Sequence, residues 1–219
     1  MGTQKADRQP GPVVGSGGGR RIVAFDFDGT LTTRDSFTAF LAWKAEPFRY
    51  VVGLIRLIPH LLAYGVHRDR GRLKAAASVL FLGGETLEQV AADAEAFAME
   101  KAQAMLRPDA VQAWRNWRGQ GAVMVIVTAS PETVVRPFAR ALGADMLIGT
   151  RLQVDEEGRV SGRFEGLNCR GPEKVARLKA AFGEDMTLLA AYGDTSGDRE
   201  MLRMAEIPGY RVFKGKPYV

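Results

Sequence analysis

Ile22-Val23-Ala24-Phe25-Asp26-Phe27-Asp28-Gly29-Thr30 decides how this chain folds. Four apolar residues in succession read as a strand buried on both faces, the kind found inside a parallel sheet. Two carboxylates stand at the end of that strand, and alternation sends Asp26 and Asp28 to the same side. A turn glycine, Gly29, follows. Carboxylates aimed into one crevice repel each other unless a cation neutralises them, and hard oxygen ligands suit Mg²⁺. The stretch points to metal-assisted chemistry; the competing reading is a surface turn that merely closes a strand.

The rest of the chain weighs against the plain turn. Downstream come Val123-Met124-Val125-Ile126-Val127-Thr128, an apolar run ending in a hydroxyl, and Gly171-Pro172-Glu173-Lys174. Gly193-Asp194-Thr195-Ser196-Gly197-Asp198 then follows Leu188-Leu189-Ala190-Ala191-Tyr192. These four polar signals, in this order and three of them at strand ends, resemble the haloacid dehalogenase (HAD) superfamily of phosphatases over about residues 21 to 215.

Strands are expected at Arg21 to Phe25, Ala122 to Val127, Met146 to Ile148 and Thr187 to Ala191, with helices between them. Strands separated by helices imply an α/β fold, a Rossmann-like parallel sheet flanked by helices, whose ligands collect at the carboxyl ends of the strands. Helices are expected over Pro131 to Ala141 and Glu173 to Ala181, and a hairpin around Asp155-Glu156-Glu157-Gly158. Ser36 to Arg107 carries helical periodicity with few breakers, which predicts a small all-helical cap inserted after the first motif. The domain reading is a disordered tail over 1–20, a core of 21–35 and 108–219, and a cap of 36–107. The cap's position resembles that of the phosphoserine phosphatase-like branch, subfamily IB.

With 219 residues, 46% of them hydrophobic, the chain can bury one good core plus a modest insertion. Its single cysteine, Cys169, forms no internal disulfide and suits a reducing, cytoplasmic compartment. Met1 to Arg20 is rich in Gly, Pro and polar residues and has no apolar h-region. The formal charge of +5 favours anionic partners, but no base-stacking motif accompanies it, so no nucleic acid is expected. A phosphorylated small molecule or a phospholipid fits instead. The oligomeric state is not legible.

What the resemblance implies for single residues is specific. Asp26 would attack phosphorus and form an aspartyl-phosphate, and Asp28 would protonate the leaving alkoxide and then activate water. Mg²⁺ would be held by Asp26, the backbone carbonyl of Asp28 and Asp194, with Asp198 binding through water or orienting the ligands. Thr128, helped by the backbone N–H of Ala129, would hold a phosphoryl oxygen, and Lys174 would neutralise phosphate charge and restrain the nucleophile. Ser130 is the rival to Thr128; standing before Pro131, it also reads as a helix N-cap.

Phosphoserine phosphatases carry an acidic residue nine positions after the nucleophile that meets the substrate amine, and this chain has Asp35 there, a candidate substrate-binding residue that also reads as a helix cap. That branch has Asn before the second acid of its last motif, and here the position is Gly197, so a substrate contact is missing. The cap points elsewhere. Phe48 to Val66 is nearly continuous in apolar residues, yet Arg49, Arg56, His60 and His67 recur along one stripe, followed by Arg68, Arg70, Arg72 and Lys74. An arginine mid-span costs roughly 2.5–3.5 kcal/mol on insertion scales, which argues against a transmembrane helix. Two readings remain: packing of the apolar face within the cap, or interfacial contact with anionic lipid, with Arg56 meeting phosphate. In the second, the chain resembles subfamily IB hydrolases related to phosphatidylglycerophosphatase C and would sit peripherally at the inner face of the cell membrane. The rivals are a phosphoserine or other small-metabolite phosphatase, and a non-catalytic lipid- or partner-binding regulator on the same fold.

Overall fold

A computed structural model of the protein describes residues 21–45, 52, 53, 55–58 and 70–217. Strand β1 (Ile22–Phe25) is buried at every position, as a strand covered on both faces must be. It lies between β2 (Val123–Pro131) and a strand at Leu188–Gly193, parallel to both. β3 (Met146–Val154) continues the parallel sheet beyond β2. β4 (Val160–Glu165) turns back antiparallel along β3. With β5 (Leu188–Gly193) and β6 (Ala205–Tyr210), the order is β4-β3-β2-β1-β5-β6. The sheet is therefore mixed, an α/β Rossmann-like sheet with one antiparallel edge.

Two differences from the sequence reading have physical causes. β3 runs on from Ile148 to Val154, because its second half serves as one arm of the hairpin. Turn chemistry closes that hairpin: the Asp155 carboxylate accepts the N–H groups of Glu157 and Arg159, and Gly158 takes φ +74°. β6 escapes a propensity reading because it is mostly exposed and contains Pro208, a residue confined to edge strands, followed by Gly209, which weakens a strand signal.

Seven helices are described by their bounds: α1 (Ser36–Lys44), α2 (Arg70–Leu82), α3 (Leu87–Met105), α4 (Pro108–Gly119), α5 (Glu132–Leu142), α6 (Pro172–Phe182) and α7 (Arg199–Arg203). Residues 52, 53 and 55–58 are helical as well. A reciprocal Thr86–Gln89 capping box starts α3, and Gly143 at φ 66° ends α5.

Alternation along β1 and β2 divides the core. Val23, Phe25, Met124 and Ile126 face one cluster; Ile22, Ala24, Val125 and Val127 face the other. The first cluster ties the helices between β1 and β2 to the sheet through edge-to-face rings. Phe27 meets Phe138 at 5.3 Å, Phe138 meets Phe97 at 6.0 Å, and Phe97 meets Phe40 at 5.6 Å. The β3–β4 hairpin grips the α2–α3 turn: Gly84 N–H donates to Val160 O, and Val160 N–H to Glu85 O. Beside it, a Cβ on Gly162 would lie 2.3 Å from Val79 Cγ2, so α2 rests directly on β4 backbone.

The chain leaves and re-enters the sheet layer side by side. Thr32 and Leu106 form an antiparallel bridge, Thr33 N–H donates to Met105 O, and Arg107 N–H to Leu31 O. The readings of Met1 to Arg20, Arg49, His60, His67 and Arg68 lie outside the described residues, and Arg70, Arg72 and Lys74 are described only as α2 backbone. Among the described residues no helix is long and apolar enough to cross a membrane.

Candidate active site

Asp26 remains on the β ladder, its N–H donating to Tyr192 O, so the strand fixes where its carboxylate points. The chain then turns sharply over Phe27–Leu31, with Gly29 at φ +85°. Glycine is required there twice over, since a Cβ would also sit 2.4 Å from Asp194 Oδ2. The first turn and the loop after β5 therefore meet at one point.

Between them lies Lys174, carried on the first turn of α6 and buried. Its ammonium donates to Asp26 Oδ1 at 2.6 Å, Asp198 Oδ1 at 2.7 Å and Val127 O at 2.6 Å. Three donors meet three acceptors, which is what permits a charge to be buried. Burial opposes the ammonium, but the Asp26 and Asp198 charges outweigh it and raise its pKa above the lysine range. Burial raises the Asp26 carboxyl to about 7 against the pull of Lys174, with the Asp198 and Asp28 charges adding to the rise. One ammonium does not offset the carboxylates gathered around it.

The remaining acids show where a cation would fit. Carboxylate oxygens of Asp26, Asp194 and Asp198 can lie within 4.8 Å of one another. Asp194 Oδ1 is buried with no hydrogen-bond partner, and burial together with the Asp198 charge raises that carboxyl. An all-oxygen set with an orphaned, crowded carboxylate fits a hard divalent ion such as Mg²⁺. Asp198 is already committed: Oδ1 to Lys174, Oδ2 to the N–H and hydroxyl of Thr195 and to Asp194 N–H. Burial pushes Asp198 up, but Lys174 and these hydrogen bonds prevail and hold it below the usual carboxylate range. These bonds fix the Asp198 carboxylate and leave Asp194 the acid with an unpartnered oxygen.

Asp28 borders the same cavity of about 260 Å³ as Asp26, Gly29, Ala129, Lys174 and Asp194. Its Oδ1 accepts Ser36 N–H at 2.7 Å and its Oδ2 accepts the Ser130 hydroxyl. This corrects the N-cap reading of Ser130: the residue lies within β2, Pro131 occupies the cap without a side-chain bond, and the Ser130 hydroxyl serves Asp28. Thr128 is buried beside it, its Oγ1 accepting Ser130 N–H at 3.0 Å. Asp35 caps α1 through Thr38 N–H at 2.8 Å, as one of its two readings expects, and lines the cavity. Of the predicted site residues, Thr128 is buried behind the residues that line this cavity, and Arg56 is placed elsewhere, in a second cavity with Leu41, Lys44 and Phe81.

Thr33, Arg34, Asn168, Arg170 and Thr195 also line the catalytic cavity, and sequence reasoning missed their part in it. Thr195 stands inside a motif stretch already quoted and Arg170 immediately before another, so both could have been noticed there. Asn168 has no such signal; its Oδ1 accepts the hydroxyl of Thr150, which bonds Ala129 O as well. Cys169 is a bystander, buried and free, with burial pushing its thiol up to about 11.

Residues 23–203 match the family model of the haloacid dehalogenase-like hydrolases. The chain belongs to that family. This hydrolase is 60% identical over 196 residues to Protein CicA of Caulobacter vibrioides, covering 90% of this chain and 88% of that one. A Bordetella pertussis protein of unknown function has a similar solved structure, with TM-score 0.68, 26% identity and coverage of 85% and 87%. The phospho-aspartyl intermediate analogue of a phosphoserine phosphatase aligns at TM-score 0.54 and 20% identity, covering 86% and 84%, a likeness of fold.

Proposed function

We propose that this hydrolase is a Mg²⁺-dependent phosphatase that cleaves a phosphomonoester through an aspartyl-phosphate on Asp26. The reading rests above all on Lys174, whose buried ammonium is bonded to Asp26 and Asp198 beside the two-point-held Asp28. An Asp26 carboxylate oxygen attacks phosphorus, the bond from phosphorus to the ester oxygen breaks, and the leaving alkoxide takes the Asp28 proton. Asp28 then takes a proton from water as that water attacks the same phosphorus. The bond to Asp26 breaks and inorganic phosphate leaves. Thr128 and the Ala129 N–H hold a phosphoryl oxygen, and Lys174 keeps the nucleophile oriented. Mg²⁺, held by Asp26, the Asp28 carbonyl and Asp194, would supply charge neutralisation at the transferring group.

Purified protein should release phosphate only with Mg²⁺ present, and Asp26→Asn should reduce release to background with an unchanged circular dichroism spectrum. Acid quenching during turnover of a ³²P-labelled ester should trap label on the native chain and none on the variant. A folded protein inert toward every ester would instead favour the regulator reading.

For the substrate, we read residues 36–107 as a cap whose outer surface meets lipid, which makes a lipid phosphate such as phosphatidylglycerophosphate the first candidate. Ile55 at 58% and Ile58 at 48% exposure flank the exposed Arg56, an apolar surface with a cation among it. The protein would then work peripherally at the inner face of the cell membrane. Turnover of that lipid in mixed micelles, compared with phosphoserine and sugar phosphates, tests it; preference for a soluble ester moves the assignment to a small metabolite.

A further inference from the structure

Arg170 carries a charge that nothing else in the catalytic cavity uses. It lines that cavity with Asp26, Asp28 and Lys174. Unlike Lys174, it has no carboxylate partner among the described residues. Its guanidinium is steadied by two hydroxyls, Nη1 to Thr195 Oγ1 at 3.5 Å and Nη2 to Ser196 Oγ at 3.1 Å. A guanidinium presents five N–H donors in a rigid fork, so this grip leaves most of the fork open.

The seat beneath the side chain is a second, independent observation. A Cβ on Gly197 would lie 2.7 Å from Arg170 Cγ, Cζ and Nη1, so the side chain lies against Gly197 backbone. Gly197 is not among the residues with positive φ, and the short turn Ser196–Asp198 would accept any residue on backbone grounds. The missing side chain is needed only to make room for Arg170. Gly171 N–H donates to Gly197 O at 2.8 Å, which straps the turn against the residue after Arg170. The fold thus keeps a half-buried cation on the wall of an acid-lined cavity.

We propose that Arg170 determines specificity by binding a second anionic group of the substrate, a carboxylate or a phosphodiester close to the phosphomonoester being cleaved. A planar fork is the donor geometry that either anion accepts. Arg34, which is exposed, lines the same cavity and adds a second positive charge to it. The inference rests on the phosphatase reading for its substrate class. Its test does not require turnover.

Calorimetric binding to the Asp26→Asn protein with Mg²⁺ would compare glycerol 3-phosphate with 3-phosphoglycerate, which adds a carboxylate. Glycerophosphoglycerophosphate, which adds a phosphodiester, forms the second arm. The expected result is tighter binding of one anion-bearing ester by about 10- to 100-fold, the range of a charge-assisted hydrogen bond. The arm that shows it identifies the anion. Adding Arg170→Gln should abolish that preference, and Arg170→Lys should restore part of it. Equal weakening of all three ligands in Arg170→Gln would overturn the proposal, because it would place Arg170 on the transferring phosphate or in the Thr195–Ser196 turn. Absence of any preference in the Asp26→Asn protein would overturn it too. A preserved preference without phosphate release from native protein would sink the phosphatase reading and leave the anion site standing.

Discussion

Two serines decide where the Asp28 carboxylate points, one through a backbone N–H at 2.7 Å and the other through its hydroxyl. Removing the hydroxyl leaves the acid present but held from one side. Ser130→Ala should therefore slow cleavage of alkyl phosphates by about tenfold, part of what a well-placed general acid contributes. An aryl ester such as p-nitrophenyl phosphate, whose leaving group needs no proton, should be nearly indifferent. Equal losses on the two esters would show that Ser130 acts on something other than proton donation. The clustered acids bring a pH dependence. Burial raises Asp26 to about 7, and Asp194 is raised as well. Protonation removes the charge that a cation binds, so apparent Mg²⁺ affinity should fall as pH drops through 7, by about tenfold per unit for one competing proton. Mg²⁺ titrations of phosphate release between pH 5.5 and 8 would give the slope, and a flat profile would contradict it. At this scale the acids were legible because charge next to an apolar strand has few innocent uses, whereas Lys174, on a helix where a lysine is usually solvated, was legible only through the family resemblance of Gly171-Pro172-Glu173-Lys174. The division of labour between Thr128 and Ser130 was not, because both stand where the β2–β3 register shifts between Val127 and Pro131 and simple alternation no longer tells which way a side chain faces. Gly197, read as a lost contact, is the floor under Arg170.

Among the elements, the β3–β4 hairpin does more than extend the sheet. Its backbone bonds to the α2–α3 turn, and the close approach of Gly162 to Val79, make it the rest on which α2 lies. Gly162→Ala should destabilise the protein by about 1–3 kcal/mol through overpacking, with added strain from φ +82°. Urea unfolding would read this, and an unchanged midpoint would mean that α2 can shift away freely. The hairpin itself was readable from Asp155 and Gly158, since turn chemistry is local. Its docking on α2 was not, because a glycine at a contact looks the same in sequence as a glycine at a bend. β6 was hidden for the opposite reason: an exposed edge strand lacks the apolar run that announces its neighbours.

For the whole molecule, the order of polar signals at strand ends carried the family and the α/β sheet, because a parallel sheet concentrates chemistry at one edge. The contact between the first turn and Asp194 depends on long-range packing, and no local pattern announces it. One arrangement reaches across the molecule. The segments Thr32–Thr33 and Met105–Arg107 run side by side as rungs of a short ladder, and the Arg107 guanidinium bolts them to Gly29 O, Thr32 O and Gly215 O. The Asp28 carboxylate straddles this crossing: it stands before the rungs and is held by Ser36 N–H beyond them. The inserted helices and the orientation of that acid thus share one anchor, so a change that loosened the crossing would be felt at Asp28.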